Sequence, residues 1–420
     1  MKDFPAPVAR ISRLSLAAAA LGALTLTACG GGGSSDSSTS IQGAFKYASV
    51  VVGQTSFSGY QPNQGGAVGA TTLAQPTGAV ATDGTELFIP DQNNSRVLGF
   101  SSIPAANGAA ASFVVGQDSF TSGGPQTTAA TTLALPGKAF VSSDGKLVVA
   151  DPGNNRVLIW NSLPAGNQPA DVVVGQVNYT SKDTGTSATQ LSDPEAAVIA
   201  NGKLIVADTG NNRVLVWNTV PTASGAAADV VIGQPDFTSN DQNNTCTPTS
   251  ASPCTSSQIA GQNNLYYPQD VWSDGFRLLV ADSNNNRVMF WKQIPSSNMT
   301  DATYVMGQSS FTRTSYGVSA STFHAPYGVA SDSVHIYIAD TGNNRVLVFN
   351  SFPTSNGGSA DSVLGQDSFT RNTANDDDQN NHPDDNPTGR TLSGPTGVAI
   401  ASSMLYVTDT GNNRVLLFKQ

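Results

Sequence analysis

The chain has 420 residues, a formal net charge of −10 and only 12% charged side chains, about half the share usual in a soluble domain. Glycine (41) and proline (23) are abundant, and glutamate occurs only as Glu86 and Glu195, so the acidity comes from aspartate. This composition argues against a helical protein and for short strands joined by tight turns, and its negative charge disfavours nucleic acid and anionic lipid headgroups as partners.

Taken in chain order, Lys2, Arg10 and Arg13 make a basic start before an apolar run from Leu14 to Ala28. The run is too short to span a bilayer comfortably, and residues 1–28 read as a secretory signal. The signal ends in Leu26-Thr27-Ala28-Cys29, which resembles the lipobox of bacterial lipoproteins; an ordinary cleaved signal with a chance Cys is the alternative. The resemblance implies that Cys29 is lipidated and becomes the new N-terminus, with the acyl chain as the membrane contact. Because Gly30 and not Asp follows Cys29, it also implies an address in the cell envelope, at the outer membrane if the host is Gram-negative. Residues 29–46 read as a flexible tether, with GGGGSSDSSTS from Gly30 to Ser40. Without Lys2, Arg10, Arg13 and Asp3, the 20 basic and 30 acidic residues become 17 and 29, a net charge of −12.

From residue 47 onward, three phrases recur six times each. The first is an apolar strand ending in Gly-Gln with an aromatic three residues on, from Gly53-Gln54/Phe57 to Gly365-Gln366/Phe369. The second is a proline opening a strand of small and apolar residues, at Pro76, Pro136, Pro194, Pro268, Pro326 and Pro395. The third runs from Asp to Arg, as in Asp208-Thr-Gly-Asn-Asn-Arg213, and returns at Asp91, Asp151, Asp282, Asp340 and Asp409. Apolar strands flank each Asp…Arg phrase, and its Gly and Asn tolerate the left-handed backbone of a tight turn. One unit therefore predicts four antiparallel strands, and radial repetition of such units makes a β-propeller. The chain opens on a lone Gly-Gln strand (Ala48 to Gln54) and stops after the third strand of the last unit. The expected fold is thus all-β, a six-bladed β-propeller over residues 47–420, closed by the N-terminal strand joining the last C-terminal blade.

Pro395-Thr-Gly-Val-Ala, Leu405-Tyr-Val-Thr-Asp409 and Asn412-Asn-Arg-Val415 resemble the NHL repeat family, whose propellers mostly serve as interaction platforms. The copies here are spaced 57 to 74 residues apart, wider than the roughly 40–50 residues usual for blades, because long linkers join them. Some six-bladed relatives, the lactonase-like and amidating-lyase propellers, hold a metal at the channel and cleave small substrates.

Function in such a frame is expected on loops and at the axis. The Asp…Arg turns and the linkers share one face. The linker from Phe237 to Pro268 holds Cys246 and Cys254, expected to form a local disulfide outside the cytosol. The linker from Phe369 to Pro395 holds Asp376-Asp377-Asp378 and Asp384-Asp385, a solvated acidic loop or a calcium site. Between them, blade five brings Arg313, Tyr316 and His324. At the channel mouth, Thr77-Gly78 and Thr396-Gly397 are small, whereas Lys138, Glu195, Gln269-Asp270 and Tyr327 depart; such groups either converge on a ligand or metal or are simply solvated. The repeated Asp208 and Arg213 read as a turn-and-pair device, worth at most about 1 kcal/mol if exposed. Nucleophilic chemistry lacks support, with three His and no Gly-x-Ser-x-Gly or His-x-x-x-His phrase. The expected function is a surface-tethered module binding a protein, peptide or glycan through its loop face; the alternative is a metal-dependent lactonase-like hydrolase or lyase at the channel.

Overall fold

A computed structural model describes residues 46–245 and 259–419. It consists of six four-stranded sheets, each antiparallel, arranged as the blades of a β-propeller. Blade three shows the unit: Pro194–Ala200 lies innermost, followed outward by Lys203–Asp208, Arg213–Trp217 and Val230–Ile232. These strands read as continuous apolar runs because both faces of every blade are covered by a neighbour; Leu204, Ile205, Val206 and Ala207 are all fully buried. The core is therefore a set of wedges between blades. One wedge joins Val198 and Ile205 of blade three to Val271 and Val280 of blade four.

The ring closes as the sequence indicates. Val50–Val52 pairs antiparallel with Arg414–Lys419, in the register Val50↔Leu417 and Val52↔Val415, and completes blade six. Between blades six and one, Thr408 Oγ1 donates to Gly78 O at 2.8 Å and Thr410 Oγ1 to Pro76 O at 2.7 Å. Pairing both chain ends leaves no radial gap in a fold otherwise vulnerable at its edges.

The three repeated phrases form one hydrogen-bonded unit. Asp208 Oδ2 accepts from Arg213 Nε at 2.6 Å and from Asn211 Nδ2 at 2.8 Å, while its Oδ1 accepts from Ser192 N at 2.7 Å. The Arg213 guanidinium also donates to the carbonyls of Thr186, Ser187, Gln190 and Phe237. Phe237 is the aromatic that follows Gly233-Gln234, so the arginine ties the turn to the next phrase. Gln234 Nε2 in turn donates to Asn212 O at 3.1 Å, and the equivalent bond measures 2.9–3.1 Å in all six blades. The left-handed Asn212 (φ 54°) turns its Oδ1 to Tyr267 N of the next blade, at 2.8 Å. Gly233 has φ 92°, and a Cβ there would lie 2.8 Å from Leu265 Cδ1, so glycine is required on both counts.

This arrangement corrects one expectation. The Asp and Arg of every copy are 0% exposed, because the incoming and outgoing linkers fold over the turn and supply the carbonyls the guanidinium needs. They are buried frame elements, and the small value of an exposed pair does not apply to them.

Candidate functional site

With the repeated residues consumed by the frame, the blades differ mainly along the axis. The two positions after each proline face their counterparts there at very short range. Lys138 N donates to Glu195 O at 2.9 Å and Ala139 N to Ala79 O at 3.2 Å, so neighbouring inner strands bond across blade boundaries. A Cβ at Gly397 would lie 2.0 Å from Gly78 O, and one at Gly137 would lie 2.5 Å from Glu195 O. Backbone packs on backbone, which leaves room for only a few large side chains. Those side chains come from blades two to five.

They stack in two layers. In the deeper one, Lys138 and Asp270 are 6% and 3% exposed and pair at 2.7 Å from Nζ to Oδ1. Lys138 Nζ also donates to Val271 O, and Asp270 accepts from Val271 N and, at Oδ2, from Val329 N at 2.9 Å. This is a buried, multiply bonded ion pair that spans blades two and four.

The outer layer lies on the turn face. Tyr327 OH donates to Glu195 Oε2 at 2.8 Å, and Tyr267 OH donates to Asp193 Oδ2 at 3.2 Å. Burial, and then the charge of Asp193, push the Glu195 carboxyl up from 4.5 to about 8. Burial likewise raises Asp193. Both phenols are held above their ordinary range, Tyr327 by burial and by Glu195 and Tyr267 by burial and by Asp193, so they remain donors. Gln269 stands at the matching position of blade four, 8% exposed, and its Oε1 is buried with no hydrogen-bond partner. Unpaired polar atoms of this kind are rare. Chemically, this mouth offers an acid that keeps its proton at neutral pH, a second carboxyl, two phenols and one unused acceptor.

The expected loop-face residues fall into two groups. Tyr316, 70% exposed, stacks on His324 with ring centroids 4.7 Å apart. The acidic loop is tied down by its own hydrogen bonds, with Asp378 and Asp385 exposed. Asp376 is fully buried and accepts from Asn380 N and Asn381 N, and Asp377 pairs with Arg390 at 2.7 Å. Asp384 Oδ2 accepts from Asp377 N at 2.6 Å. The loop brings carboxylate oxygens of Asp376, Asp378 and Asp384 within 4.8 Å of one another, the grouping among the described residues whose donors suit a hard cation. Cys29, Cys246 and Cys254 lie outside the described residues.

Sequence reading did not single out Asp193 and Tyr267. Each immediately precedes the inner-strand proline, at φ 50° and 58°. The other blades carry Gln75, Leu135, Ala325 and Gly394 at this left-handed position, so the signal available was a carboxyl or phenol where the frame demands only a backbone conformation.

No protein-family model matches the chain, and no curated protein matches it. Several solved structures are similar in outline. An auxiliary nutrient binding protein from Bacteroides thetaiotaomicron is 10% identical, with 88% of this chain and 75% of that one covered and a TM-score of 0.47. Hydrazine synthase from Kuenenia stuttgartiensis is 14% identical over 83% of this chain and 96% of that one, with a TM-score of 0.45. Virginiamycin B lyase from Staphylococcus aureus is 12% identical over 82% and 95%, with a TM-score of 0.37. None of their activities is carried over to this chain.

Proposed function

We propose that the chain is a binding propeller of the NHL type, tethered in the cell envelope through a lipid on Cys29, that recognises a protein, peptide or glycan on its turn face. One observation supports this reading above others. The side chains that break the repeat, Asp193, Glu195, Tyr267, Gln269 and Tyr327, meet at one mouth, and Gln269 Oε1 there lacks a donor. An amide N–H or a hydroxyl, common to peptides and glycans, supplies such a donor. The exposed Tyr316–His324 stack offers a second contact on blade five. Peptide and glycan arrays probed with the purified protein test the proposal: a bound class lost in Glu195→Ala and in Tyr327→Phe is expected. Binding indifferent to both variants, or no binding at all, sinks it.

A lactonase-like or lyase reading requires several free carboxylates on the inner strands. Glu195 and Asp270 stand there, but Lys138 holds Asp270 and Tyr327 holds Glu195. Calcium belongs to the proposal at the acidic loop, where Asp376, Asp378 and Asp384 would supply oxygen ligands. Added calcium is then expected to raise the melting temperature of the protein, and Asp378→Asn with Asp384→Asn to abolish the rise. An equal rise in the double variant excludes this loop.

A further inference from the structure

The face opposite the Asp…Arg turns holds a feature that the turn-face reading does not use. Beyond the Lys138–Asp270 pair, the inner strands of all six blades enclose a cavity of 740 Å³, within the roughly 300–1,000 Å³ of small-molecule sites. Its inner end is lined by Lys138 and its rim by the hairpins that join the first and second strands of the blades.

The lining has two characters. Phe140, Trp272 and Ile400 are only partly buried and give apolar wall, while Ser143, Asn201 and Ser402 give hydroxyl and amide groups. The charged groups of the lining are already engaged. Lys138 pairs with Asp270 at 2.7 Å, Asp274 with Arg277 at 2.6 Å and Asp332 with His335 at 2.7 Å. Asp83 accepts from Thr85 N and Glu86 N of its own turn, both at 2.7 Å. An anionic ligand would lose its hydration and meet no spare cation, and the rim carboxylates Asp83, Asp274 and Asp332 already accept from protein donors. A neutral ligand with one apolar face and several hydroxyls fits both halves of the wall. Of the three donors of an ammonium, Lys138 Nζ directs one to Asp270 and one to Val271 O, which leaves a third for a ligand oxygen.

We propose that this cavity binds a small neutral polyhydroxylated molecule of mono- to disaccharide size. Its C–H face lies on the Trp272 and Phe140 wall, and its hydroxyls meet the serine and asparagine rim. The site is on the other side of the Lys138–Asp270 plug from the mouth formed by Glu195 and Tyr327, so either reading can fail alone.

Trp272 makes the test direct. Of the four tryptophans, Trp160, Trp217 and Trp291 are only 3%, 2% and 2% exposed, whereas Trp272 lines the cavity. The purified protein is titrated with glucose, galactose, maltose and cellobiose to roughly 10 mM, the weak end of specific affinity, by tryptophan fluorescence and by calorimetry. Expected is saturable binding of at least one sugar, with Trp272 shielded from acrylamide. Trp272→Phe should remove the optical signal and keep a binding heat. Ile400→Arg should weaken binding about tenfold or more, and Tyr327→Phe should leave it unchanged. Should Ile400→Arg lower the melting temperature, Ser143→Trp at the exposed rim serves in its place. The proposal is overturned if no sugar binds, if glucose 6-phosphate or glucosamine binds more tightly than glucose, or if Tyr327→Phe abolishes binding that the rim variants retain.

Discussion

The turn and the axis of each blade follow opposite rules. At the turn, the Arg Nε to Asp Oδ2 distance stays within 2.6–2.8 Å from blade one to blade six. At the axis, the residue after the proline is Thr77, Gly137, Glu195, Gln269, Tyr327 or Thr396. A ring of like blades needs the same frame in every blade, whereas a binding site needs different groups from different directions. Repetition here reports what the fold requires, and departure from it reports where chemistry is available.

The largest effect expected of a single change lies in the frame. Arg213→Leu leaves the Asp208 carboxylate buried without its partner and removes the donor from four carbonyls, so a loss near the upper end of about 3–5 kcal/mol is expected in urea unfolding. Pairing it with Asp208→Leu should not restore stability, because the carbonyls remain unpaired. Lys138→Met, which leaves Asp270 unpaired, should lose about 3 kcal/mol. Here the double change Lys138→Met with Asp270→Leu should recover more of its loss than the turn pair does, since the axial pair takes further partners only from Val271 N, Val271 O and Val329 N. Equal behaviour of the two double variants would erase the distinction between frame and axis.

A smaller effect is expected from pH. The folded state holds the Glu195 proton with a pKa of about 8 against 4.5 for the free group, so between these values the folded chain binds more protons than the unfolded one. The contribution of Glu195 is full below pH 4.5 and fades as pH rises through 8. Melting temperature followed over this range should fall less steeply in Glu195→Gln than in the parent. Parallel curves would mean that Glu195 titrates as an ordinary carboxylate.

The frame was largely legible in the sequence because its contacts demand the same side chains in every blade. Asp208, Arg213, Gly233 and Gln234 recur for that reason, and the closing strand Val50–Val52 could be placed by counting. Their union into one network was not legible, since Arg213 and Gln234 bind backbone carbonyls such as Phe237 O and Asn212 O, which leave no mark on residue identity. The burial of the ion pairs was hidden likewise, because the covering linkers vary in length and sequence. At the axis, Lys138, Glu195, Asp270 and Tyr327 stood out as departures. Which of them would meet did not, because Lys138–Asp270 and Glu195–Tyr327 each join residues 132 positions apart. Asp193 and Tyr267 escaped because the frame fixes only their backbone.

The most direct test of the division sets melting temperature beside ligand binding in two variants. Asn413→Gly removes the link to Gln75 N of blade one, a blade that gives no side chain to the mouth, and belongs to the frame; Glu195→Ala with Tyr327→Phe belongs to the axis. Asn413→Gly should lower stability by about 1 kcal/mol and leave turn-face binding intact, while the axial double variant should lose that binding and stay folded at neutral pH. Binding lost in Asn413→Gly and kept in the axial variant would contradict the assignment of function to the residues that break the repeat.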